Sequence, residues 1–148
     1  MEILFFRIFK HLAGVKTAYL IEVVHTPVVQ PFLPITPFIK ELLIHHGRTI
    51  GVVDLSHLLH IKVDSGQGDI VVLRCENVEF GIRVKKIFSV RAIPSSRMTP
   101  PHSKTFIPSS FIESVYRIKS VDIPIISPAA LLHHSAIESF WMDAKKQA

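Results

Sequence analysis

Short apolar runs, each four to eight residues long and closed by turn residues, repeat along the chain and predict an all-β protein. "EILFFRI" (2–8), "DIVVLRC" (69–75) and the segments 79–85, 112–118 and 122–126 read as strands. Segments 38–45 and 48–53 flank His46-Gly47, which predicts a tight hairpin. Gly14 marks a hairpin or bulge, and 17–24 reads as a short helix or strand with Leu20, Val23 and Val24 facing in. Residues 26–38 carry four prolines and predict an extended connector. The Pro- and Ser-rich segment 93–110 predicts irregular, exposed chain. A final helix is expected over about 128–144, with Leu132, Ile137, Phe140 and Trp141 on its apolar face.

The pattern is duplicated. "TIGVVDLSHLL" (49–59) lies over "DIPIISPAALL" (122–132), with Ile50 on Ile123, Val52 on Ile125 and Asp54 on Ser127. Both Asp54 and Ser127 suit a helix N-cap, and Pro128 suits the first helical position. Earlier in the chain, Ile3 lies over Ile70, Arg7 over Arg74 and Gly14 over Gly81. The offset grows by six residues before the final strand, so the second copy has the longer connection. The reading is a single domain over 1–148 with repeat copies at about 3–61 and 69–142. It forms two small barrels, each built largely from one copy.

Composition narrows the function. Hydrophobic residues make up 48% of the 148 positions, which argues against a disordered chain. No apolar run approaches a membrane span, and "MEILFFRIFKHL" lacks the charge and cleavage pattern of a signal peptide, so a cytoplasmic protein without membrane insertion is expected. The single Cys75 excludes an internal disulfide and reads as a small hydrophobe in a strand. The net charge is +5, and no acid stands between Phe80 and Ile112, where Arg83, Lys85, Lys86, Arg91, Arg97 and Lys104 fall. A solvated strand face is the simplest reading of that segment. Its alternative is a small basic β-barrel that binds RNA or another acidic partner.

Catalytic patterns are missing: there is no phosphate loop, GxSxG elbow or CxxC, so no enzyme and no cofactor are expected. Nine histidines raise the question of a metal. Strict strand alternation would send His45 and His46 to opposite faces, and His57 and His60 find no obvious carboxylate, so no metal site is expected.

Several segments together are similar to the CheW-like domains of bacterial chemotaxis. "AGVKTAYLIEVV" (13–24) resembles the family segment that ends in Val-x-Glu-Val, with Glu22 on the family Glu. The stretch 31–59 resembles its most specific signature, where Gly47, Val52, Val53, Asp54 and Leu55 keep the pattern. "FGIRVKKIFSVRAI" (80–93) resembles the later strand-and-turn segment. Departures fall at Glu41, His45, His46, Gly51, Lys85 and Ser127. The resemblance implies an all-β fold of two five-stranded β-barrels related by pseudo-symmetry. It implies a non-catalytic adaptor that joins the cytoplasmic tips of methyl-accepting chemoreceptors to the regulatory domain of a CheA-like histidine kinase, including in pilus or gliding systems. It also implies a receptor groove beside Glu22, Leu20 and Val23, with His46 and Gly47 as a second protein-binding position.

Overall fold

The computed structural model describes residues 1–31, 39–53, Leu55, Leu59 and 68–134. Asp54, His57, His60, Ile137, Phe140 and Trp141 lie outside the described residues, and so does the Asp54 cap.

Twelve strands fill most of the described chain. They are β1 (Glu2–Ile8), β2 (His11–Lys16), β3 (Leu20–Val24), β4 (Val29–Pro31), β5 (Ile39–His45), β6 (Arg48–Val53), β7 (Asp69–Cys75), β8 (Val78–Val84), β9 (Lys86–Ala92), β10 (Met98–Thr99), β11 (Ile112–Ile118) and β12 (Val121–Ile126). They form two six-stranded sheets, ordered β10-β11-β12-β2-β1-β9 and β4-β5-β6-β8-β7-β3. The sixth strand of each sheet is a short edge piece: β4, inside the segment that the sequence reads as an extended connector, or β10, inside the one it reads as irregular. Five full strands plus one short one therefore replace the five expected per barrel. An edge position also suits Pro31, which has no N–H to give to a further neighbour.

Replacing each of β1–β6 by its counterpart β7–β12 converts one strand order into the other. Each sheet thus holds four strands of one copy and the opening hairpin of the other. The junctions are the only parallel pairs among the described strands: Ile125 beside Gly14, and Val52 beside Gly81. These four residues are the ones the internal alignment superposes. A glycine is required there by close approach. A Cβ on Gly14 would lie 2.7 Å from Ile3 Cγ2 and 2.9 Å from Ile125 Cδ1, and one on Gly81 would lie 2.7 Å from Ile70 Cγ2.

Burial follows the same symmetry. One core joins the two sheets and includes Leu4, Phe6, Ile8, Val71, Leu73, Phe80 and Ile82. Each sheet also has its own smaller core, with Ile3, Phe5, Tyr116, Ile123 and Ile125 in one, and Ile70, Val72, Leu43, Ile50 and Val52 in the other. Strands β1 and β7 are buried on both faces, which is why their sequences read as continuous apolar runs and not as alternation. Ile107 and Ile93 are buried, so the 93–110 segment is irregular but not wholly exposed as the sequence suggests. Two aliphatic anchors fix it to the body.

Ser127 Oγ accepts the N–H of Ala130 at 3.2 Å, and Pro128 opens helix α1 (Pro128–Leu132). Leu131 and Leu132 of that helix enter the shared core, as do Leu55 and Leu59 after β6. Among the described residues no helix is long and apolar enough to cross a membrane.

Candidate protein-binding site

Glu22 stands on β3, at the edge of the second sheet. Four inter-strand steps separate β3 from β5, which would span about 19 Å in a flat sheet. Yet Glu22 Oε2 lies 3.1 Å from His45 Nε2 at the end of β5. The sheet is curled enough to bring its edge strand against the tip of the β5–β6 hairpin, and the site forms at that closure.

The hairpin turn is His46-Gly47, and both residues have positive φ, 50° and 74°. This is the left-handed pair that a two-residue connection favours, and Gly47 adopts it without a side-chain penalty. His46 has therefore left strand geometry, and the alternation argument that separated it from His45 fails. The two rings sit on one side, with centroids 4.0 Å apart and planes at 59°. The sequence places His46 in the hairpin turn, and strand alternation therefore does not govern where its ring points relative to His45.

Arg48, the first residue of β6, adds a cation. Its Nη2 is 3.5 Å from Glu22 Oε1, and its Nη1 donates to both carboxylate oxygens of Glu79, at 2.8 Å for Oε2. The Glu22 carboxylate thus faces His45 and Arg48 at once and keeps about a third of its side-chain surface in contact with solvent.

The aliphatic neighbours of Glu22 divide between core and surface. The β3–β7 register shifts between Leu20 and Glu22. With that bulge, Leu20 and Val23 both pack against the shared core and are half-buried, while Ile21 between them is 42% exposed. The exposed hydrophobe beside Glu22 is Ile21, which no sequence pattern singled out. A bulge moves one residue out of the two-residue period and leaves no compositional mark.

Of the basic segment, Arg83 is not on a solvated face. It is 8% exposed, with Nε donating to Glu41 Oε1 at 2.8 Å, Nη2 to Oε2 at 3.2 Å and Nη1 to the Gly68 carbonyl at 3.2 Å. Lys86 and Arg91 remain exposed on the edge strand β9, beside Phe88 and Val90. Cys75 is buried, and burial, followed by the Glu76 and Glu113 charges, pushes its thiol pKa up, which keeps it protonated and unreactive at neutral pH.

The strand order and the curled sheets define a two-lobed β protein with interchanged hairpins, and its surface site is a set of polar groups at a hairpin tip with no nucleophile or oxyanion donor among them. The chain belongs to the CheW-like domain family, whose model matches residues 2–136. Among solved structures it is similar to the scaffolding protein TtCheW from Thermoanaerobacter tengcongensis, with a TM-score of 0.80 and 23% identity, over 91% of this chain and 89% of that one. Among curated proteins no match is found.

Proposed function

We propose that the protein is a non-catalytic adaptor of chemotaxis-type signalling, which couples chemoreceptor cytoplasmic tips to the regulatory domain of a CheA-like histidine kinase. The observation that carries this reading is the family match, which runs through nearly all of the described chain. The work is then done at the cytoplasmic side of receptor arrays, by surfaces and not by a reaction.

The receptor surface is assigned to the edge strand β3. Ile21 offers an apolar contact that a partner can desolvate, and Glu22 beside it offers a carboxylate to a basic or amide group of a partner helix. Leu20 and Val23 support this strand from beneath, and His46 and Gly47 border it at the hairpin tip. Of the six basic residues behind the RNA alternative, Arg83 is committed to Glu41, while Lys86 and Arg91 stay exposed on β9.

Glu22→Lys and Ile21→Lys test the assignment. Each is expected to weaken binding of a receptor-tip fragment at least tenfold while the kinase regulatory domain still binds. Retention of full receptor affinity by both variants would remove the surface from β3.

A further inference from the structure

The ligand atoms of Glu22, His45 and His46 all lie within 4.8 Å of one another. The three residues come from an edge strand, a strand end and a turn, so the cluster exists only because the sheet curls and His46 leaves the strand at φ 50°. A tetrahedral zinc with nitrogen and oxygen ligands at about 2.0–2.1 Å has ligand–ligand edges of about 3.3 Å. The Glu22–His45 edge, 3.1 Å, is already at that length. His46 is exposed, and a change of its side-chain rotamer is the movement that would draw in the remaining edges.

The donor set decides the class of cation. Two imidazoles and one carboxylate suit zinc and neighbouring first-row metals, whereas calcium and magnesium prefer oxygen alone. Three protein ligands leave a fourth position, and the exposure of His46 opens it to water or to a side chain from a docked protein. Arg48 is the opposing charge at the site. Its link to Glu22 is long, 3.5 Å, and Glu79 holds the same guanidinium at shorter range, so a cation on Glu22 displaces the weaker of its two contacts.

We propose that Glu22, His45 and His46 form a three-ligand, solvent-open site for a zinc-class divalent cation. Metal binding there does not rest on the adaptor reading, and it can be measured on the protein alone. An occupied site would convert the Glu22 carboxylate from a partner of His45 and Arg48 into a metal ligand, so cation and receptor would compete for it or share it.

The test uses the full chain freed of metal, titrated with Co2+ by visible absorption and with Zn2+ by calorimetry. The expected result is one equivalent bound, with the intense visible bands of low-coordinate cobalt. Glu22→Gln and His46→Asn are each expected to weaken this binding more than tenfold, since even the loss of a supporting outer contact weakens sites by about 10–100-fold. Asparagine tolerates the left-handed backbone at position 46, so that variant keeps the turn. Melting of both variants without metal checks that the fold persists, and His133→Ala, at a separate exposed histidine, is expected to leave the site unchanged. No binding of either metal by the parent protein, or binding that survives both ligand substitutions, overturns the proposal.

Discussion

Arg83 grips Glu41 at two points, Nε to Oε1 at 2.8 Å and Nη2 to Oε2 at 3.2 Å, and so ties β8 to β5 across the intervening β6. The guanidinium is buried and the carboxylate is about a quarter exposed. Geometry of this kind fixes two planar groups against each other, which a lysine in place of Arg83 cannot reproduce.

Removing the carboxylate would take away both Glu41 contacts and leave the buried guanidinium its bond to the Gly68 carbonyl. Glu41→Ala is therefore expected to lower stability by about 2–3 kcal/mol, below the range for a fully buried pair because Glu41 keeps some water. Urea unfolding monitored by circular dichroism measures it. An unchanged midpoint would mean that the pair exchanges with solvent at no net loss.

The parallel junctions give a second expectation. Gly14→Ala drives a methyl against Ile3 and Ile125, and an overpacked core loses about 1–3 kcal/mol. Gly81→Ala meets Ile70 as closely, but Val52 stands 3.5 Å away, so the loss is expected to be smaller. Denaturant midpoints of the two variants rank them. Equal stability of Gly14→Ala and the parent would show that the junction is looser than its distances indicate.

Cys75 supplies a chemical probe of the same core. Its thiol is buried and its pKa is pushed up, so iodoacetamide at neutral pH is expected to label it only when the chain unfolds. Labelling that tracks the unfolding curve supports this. Rapid stoichiometric labelling of the native protein would contradict it.

Much of the fold was legible because the repeat is written in residues that packing constrains twice. Ile3 and Ile70, Gly14 and Gly81, and Val52 and Ile125 occupy equivalent places in the two lobes, and any drift at one would spoil a junction. The Ser127 cap was legible for a local reason, since its Oγ needs only the chain three residues on. The hairpin exchange between the sheets was not, because strand order depends on which edges meet in space. The site was less legible still. The meeting of Glu22 with His45 follows from sheet curl, the exposure of Ile21 from a bulge, and the pairing of Arg83 with Glu41 from two strands that are adjacent to a third. None of these leaves a period in the sequence.

An adaptor must hold two partners at once, and that is the property to measure. Sedimentation velocity of the parent protein with a receptor-tip fragment and a kinase regulatory domain, each labelled with its own chromophore, reports every component of a complex separately. The account predicts one boundary carrying both labels, which splits into separate boundaries when this protein is left out, and which loses the receptor label with Glu22→Lys while that variant melts within about 1 kcal/mol of the parent. Two partners that sediment alone in the presence of the parent protein at high micromolar concentration would contradict the adaptor function.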